Sequence, residues 1–254
     1  VDARLASGVR VHAVLPCVAD SGTCLSLRVP NRQRLSLADW VASGSLSGQG
    51  ASLLAGLVEA RRAFLVSGGT GSGKTTLLGA LLALVPPAER IVIAEDSREL
   101  RPDHPHCVRL EGRPPNAEGS GAVTLTDLVR QALRMRPDRL VVGEVRGAEL
   151  ADLLSALNTG HEGGCGTVHA NSAGDVPARL EALAALAGMG RDALHAQLAA
   201  ALQVLVHVRR LPDGRWDIAL PRAKPVLVTF ALISMVAKWN NYLWPLIVTN
   251  EDRM

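Results

Sequence analysis

A chain of 254 residues, 48% of them hydrophobic and 20% charged, is long and apolar enough to bury its own core, which excludes disordered and fibrous classes. Its formal net charge of +3, with no block of like charge, lacks the basic stripe of a nucleic-acid binder. Cys17, Cys24, Cys107 and Cys165 form no C-x-x-C pair, which argues against a zinc site or disulfide framework and for reduced thiols in the cytosol.

The first residues, Val1-Asp2-Ala3-Arg4, hold neither an initiator Met nor a signal-peptide pattern, so the chain is expected to begin partway through a larger protein. Residues 9–15 and 23–29 alternate apolar and polar side chains and read as two strands separated at Pro16. Two strands make no domain, and residues 1–30 read as the trailing part of an N-terminal α/β domain. Residues 31–58 read as a linker and a helix: the stretch to Gly50 is polar, Ser36-Leu37-Ala38-Asp39 offers a cap, and residues 51–60 suit a helix.

From 59 to 220, apolar strands alternate with helices, which predicts an α/β domain with a mostly parallel sheet and crossover helices. Residues 63–67 are the first strand. Gly68-Gly69-Thr70-Gly71-Ser72-Gly73-Lys74-Thr75-Thr76 follows and matches G-x-x-x-x-G-K-[ST] in full, leading into a helix over 77–85. Glycines let successive backbone N–H groups curl around phosphate oxygens, Lys74 places a compact charge on the β- and γ-phosphates, and the Thr75 hydroxyl ligates Mg²⁺. Lys74 is also the only lysine in the first 223 residues, and arginine supplies every other long cation there. Strand 90–94 ends in Glu95-Asp96, a helix follows Thr126 to about Met135, and strand 139–143 ends in Glu144. Acids at the C-terminal ends of strands in an open α/β sheet lie where ligands bind. A carboxylate there can orient or deprotonate the water that attacks a phosphate, and Glu144 fits that role although Gly143 stands where a metal-holding Asp is usual. A helix over 148–157, a glycine-rich turn from Gly160 to Gly166 and strand 167–169 come next. His161 and His169 flank that turn and are expected at one sheet edge, where one of them senses phosphate. Arg130, Arg134, Arg136 and Arg146 crowd the same segment. Helices over 176–187 and 191–202 and a hairpin of 204–209 with 216–220 close the domain.

In this order, Gly68 to Thr76, Ile93-Ala94-Glu95-Asp96, Arg134-Met135-Arg136-Pro137-Asp138, Val141-Val142-Gly143-Glu144-Val145-Arg146-Gly147 and Asn158-Thr159-Gly160-His161 through Thr167-Val168-His169-Ala170-Asn171-Ser172 resemble the traffic ATPases of type II and type IV secretion. The likeness is strongest to the Tad/Flp pilus branch of actinobacteria and covers about residues 1–218. It implies a RecA-like P-loop ATPase using ATP and Mg²⁺, with residues 69–76 (Gly69, Thr70, Gly71, Ser72, Gly73, Lys74, Thr75, Thr76) on the nucleotide and Thr75 on the metal. It further implies Glu144 as catalytic carboxylate, Glu95 and Asp96 as an acidic box, and His169 ending a histidine box. Arg10 and Arg28 match arginines that reach a nucleotide from the N-terminal domain, and Arg130 and Arg134 match a pair on the core helix. The implied protein is a homohexamer, cytoplasmic and peripheral at the inner face of the cell membrane, working with inner-membrane pilus or secretion platform proteins and no specific nucleic acid. The missing Asp before Glu144 is normal in that family.

Two of three lysines and four of seven aromatics (Phe230, Trp239, Tyr242, Trp244) fall in the last 31 residues. Residues 239–250 resemble a carbohydrate ABC-transporter permease, so the stretch 221–254 is read as an apolar tail foreign to the ATPase. Two other functions compete: a RecA-like DNA motor or helicase, and, from the tail alone, a membrane-transport component. A helicase needs a basic groove with aromatic stacking platforms, and residues 1–218 offer only Trp40, Phe64 and Trp216.

Overall fold

The computed structural model describes residues 2–5, 8–29, 34–116, 118–212 and 215–219; the tail read as foreign lies outside them. Packing divides the chain after Gln33 into two units. In the first, β1 (Asp2–Arg4), β2 (Arg10–Val14) and β3 (Cys24–Arg28) form an antiparallel sheet in that order. β1 was not legible, because three residues are too few to show alternation. Register places Val11 opposite Leu27 and Ala13 opposite Leu25 on one face, and Arg10 opposite Arg28 on the other.

The second unit contains α1 (Leu37–Ala42), α2 (Gly48–Glu59), β4 (Phe64–Gly68), α3 (Lys74–Leu82), β5 (Ile91–Glu95), β6 (Cys107–Glu111), α4 (Leu125–Arg134), β7 (Arg139–Val145), α5 (Glu149–Asn158), β8 (Cys165–His169), α6 (Val176–Leu186), α7 (Arg191–Ala201), β9 (Val204–Arg210) and β10 (Trp216–Ala219). Its seven-stranded sheet runs β10-β9-β4-β8-β7-β5-β6. All neighbours are parallel except β10, which pairs antiparallel with β9 at the edge. This is the mostly parallel α/β architecture expected.

Helices cover both faces of the sheet, and that is why its central strands read as unbroken apolar runs rather than alternating ones. Leu65, Val92, Ala94, Leu140 and Val142 pack against α4 to α7. Phe64, Val66, Ile91, Ile93 and Val141 pack on the opposite side, against α1 to α3. Residues 37–50 are therefore not linker: Ser36 caps α1 in a reciprocal box with Asp39, and Trp40, 1% exposed, is buried in the core. The polar, glycine-rich composition concealed α1, a short capped helix with a small apolar face, and the first turn of α2. Likewise α4 is capped by Thr124, not Thr126, because Thr124 and Asp127 have the capping-box spacing.

Candidate functional site

β4 delivers the glycine-rich loop to the N-terminus of α3. Gly73 caps that helix with φ of 94°, a left-handed conformation natural to glycine, and a Cβ there would lie 2.7 Å from Trp216 Nε1. Lys74 is 6% exposed, and its Nζ donates to the carbonyls of Gly68 (3.0 Å) and Gly69 (2.7 Å). Burial lowers the Lys74 pKa, against the raising pull of Glu144. The Ser72 hydroxyl is buried without a partner among the described residues. A loop closed on its own carbonyls, with an orphaned hydroxyl and an ammonium on the first helical turn, fits a phosphate chain. Thr75 stands on the same turn. Mg²⁺ keeps several waters and needs only one or two protein oxygens beside phosphate, so the site fits that ion although no group of three acids, histidines or cysteines suits a metal among the described residues.

Glu144 owes its aim to an irregularity in β7. Val142 pairs with Gly166 and Val145 with Val168, so Gly143 and Glu144 together oppose Thr167, a bulge that re-aims a side chain. The Thr167 hydroxyl donates to the Gly143 carbonyl at 2.6 Å and fixes the bulge. Glu144 accepts a two-pronged hydrogen bond from Arg146, with Nη2 at 2.7 Å from Oε2, and lies 3.1 Å from His169 Nε2. Burial works to raise the Glu144 pKa, but the Arg146 hydrogen bond and the charges of Arg146, His169 and Lys74 outweigh it and hold the carboxyl below its usual range. His169 Nδ1 is 3.5 Å from the Thr70 hydroxyl. Burial first, and Lys74 second, depress the His169 pKa, against the raising pull of Glu144. Glu149 accepts from the Arg146 and Gly147 amides and folds the turn that carries Arg146.

Glu95, 4% exposed, accepts the amides of Glu99 (3.1 Å) and Leu100 (2.9 Å) on one oxygen; the other is buried without a partner among the described residues. Burial raises its pKa to about 7, against the two amides and Arg109. A Cβ on residue 143 would sit 2.4 Å from Glu95 Cγ, which gives the missing Asp a steric reason: Glu95 occupies that space. Burial also raises the pKa of Asp96, opposed by Arg146.

One expectation is corrected, the shared sheet edge of His161 and His169. His161 precedes β8, with Nδ1 3.3 Å from the Ala156 carbonyl, so the length of that strand separates it from His169 and the two do not share an edge. Of the crowded arginines only Arg146 meets Glu144. Arg130 is held by Asp152 of α5 at 3.1 Å, and Arg134 is exposed on the last turn of α4, since the α4 crossover packs alongside the sheet. Arg10 and Arg28 belong to the first unit, opposite each other in register. Sequence reading missed the pairing of Arg146 with Glu144, although a cation two residues on in a turn was a signal, and it missed Glu149, Thr167 and Trp216.

A family model described as "Type II/IV secretion system protein" matches residues 3–214. A Mycobacterium tuberculosis protein whose name assigns it provisionally to conjugal transfer is 64% identical over 211 residues, covering 83% of this chain and 60% of the relative. The conjugal transfer protein TrbB of Rhizobium radiobacter is 35% identical over 211 residues, covering 82% and 62%. The chain thus spans about three fifths of the length of these relatives. The crystal structure of the VirB11 ATPase from the Brucella suis type IV secretion system superposes with a TM-score of 0.60 at 28% identity, over 86% of this chain and 74% of that one.

Proposed function

The chain belongs to the type II/IV secretion system protein family, and from that premise we propose that it is an ATP-hydrolysing motor subunit that drives pilus assembly or secretion, in the Tad/Flp branch. One observation supports the reading above others: the carboxylate on the β7 bulge, the imidazole ending β8 and the P-loop hydroxyl form a continuous line from Glu144 through His169 to Thr70. Glu144, ionised, is the base or orienting group for the attacking water. Arg146 holds it until substrate enters, and Lys74 exchanges its loop carbonyls for phosphate oxygens. Thr75 would hold Mg²⁺, which would supply charge neutralisation at the phosphates.

Among the described residues no helix is long and apolar enough to cross a membrane. We place the protein at the cytoplasmic face of the membrane, beside platform proteins, as a homohexamer. We infer that Arg10 and Arg28, opposite each other in register, reach a nucleotide held by a neighbouring subunit.

Lys74→Ala and Glu144→Gln test the reading together. The first abolishes Mg²⁺-dependent hydrolysis and weakens binding; the second retains ATP and lowers turnover by about 10²-fold or more, since an amide orients water but is no base. Parental hydrolysis by Lys74→Ala would sink it.

A further inference from the structure

Beyond the P-loop, the line from Glu144 to Thr70 borders a cavity of about 290 Å³, lined by Gly69, Thr70, His169, Asn171, Asp175 and Arg179 among others. We propose that Arg179 contacts the terminal phosphate of a bound nucleoside triphosphate and so distinguishes triphosphate from diphosphate. The inference rests on the ATPase reading and adds a residue to it.

Position comes first. The loop's far end, Gly73, is closed by Trp216 of β10. The cavity instead touches the loop's first residues, on the side of β8, the strand between β4 and β7. Glu144 is on that same side, and a water it activates must attack the terminal phosphate. That phosphate therefore belongs at the cavity end of the loop.

Chemistry agrees with position. The lining supplies donors suited to phosphate: loop amides, the Thr70 hydroxyl, the Asn171 amide and a guanidinium. Its one carboxylate, Asp175, is engaged by the Ser172 amide (3.0 Å) and hydroxyl (2.8 Å). Arg179 has no hydrogen bond or ion pair among the described residues, whereas Arg130, Arg139, Arg146, Arg191 and Arg209 each hold a carboxylate. Its helix is not loose: Val176 and Leu180, 1% and 0% exposed, anchor the turn of α6 on which it stands. A planar fork with two parallel donors suits a phosphate's terminal oxygens, and this exposed guanidinium stands at the cavity beside the P-loop, able to meet a ligand there.

The test compares ATP and ADP affinities by titration calorimetry, using the full chain with Glu144→Gln to suppress turnover. Arg179→Gln is expected to weaken ATP at least tenfold while ADP stays within twofold, and Arg179→Lys to recover part of the loss. An unchanged ratio of the two affinities, or an equal loss of both, would overturn the role. Lys74→Ala in the same background separates the two readings. If it moves neither affinity, the P-loop assignment itself fails; if it weakens both while Arg179→Gln keeps the parental ratio, only the Arg179 inference fails.

Discussion

Glu95→Gln isolates the most perturbed acid of the site. In the folded protein the Glu95 carboxyl titrates near pH 7, against 4.5 for the ordinary group, chiefly because burial penalises its charged form. A raised carboxyl pKa means that the native state binds more protons than the unfolded chain between those values, so stability must fall as pH rises through that window. At about 1.4 kcal/mol per pH unit, the interval corresponds to about 3 kcal/mol lost between pH 4.5 and pH 7. Glutamine preserves the oxygen that accepts the Glu99 and Leu100 amides but cannot ionise. Urea unfolding at pH 5 and pH 8, followed by far-ultraviolet circular dichroism, should therefore show the parent losing about 2–3 kcal/mol more than the variant over that range. Absolute stabilities can differ for other reasons; the difference in pH dependence cannot. If the gap between parent and variant is the same at both pH values, Glu95 is not a buried acid that must be charged at a cost.

The packing of Glu95 on Gly143 predicts that Gly143→Ala destabilises the fold by about 1–3 kcal/mol, and that Glu95→Ala removes most of the penalty; additive losses in a double-mutant cycle would contradict the contact. Arg146→Ala removes the strongest group holding Glu144 ionised, so its pKa rises and the acid limb of the turnover profile moves to higher pH, measured as activity at pH 5.5 relative to pH 8. An acid limb at its original pH would separate Arg146 from the electrostatics of Glu144. His169→Ala should keep nucleotide binding yet lose coupling to work, read as ATP affinity beside pilus assembly or secretion in cells; normal assembly would remove His169 from the mechanism.

The P-loop was legible because its chemistry is local: glycines, a lysine and a threonine in consecutive positions bend the backbone and place the charge within one turn. The strands were legible because a sheet covered on both faces leaves apolar runs with no alternation, and Glu95 and Glu144 mark where two of them stop. The traffic-ATPase likeness was equally available, since it rests on the order of blocks along the chain. Strand order is another matter. Only the arrangement β4-β8-β7-β5 sets His169 beside both Thr70 and Glu144, and sends His161 to the opposite end of β8. The β7 bulge depends on a register shift against β8, a pairing that neither strand encodes by itself. Gly143 looked like a gap in a motif until Glu95, on the neighbouring β5, was seen to fill the space beside it. Arg179 falls in no motif of the sequence, and it comes beside the phosphate loop only through the β8–α6 connection, a contact made in space between segments that local sequence pattern does not relate.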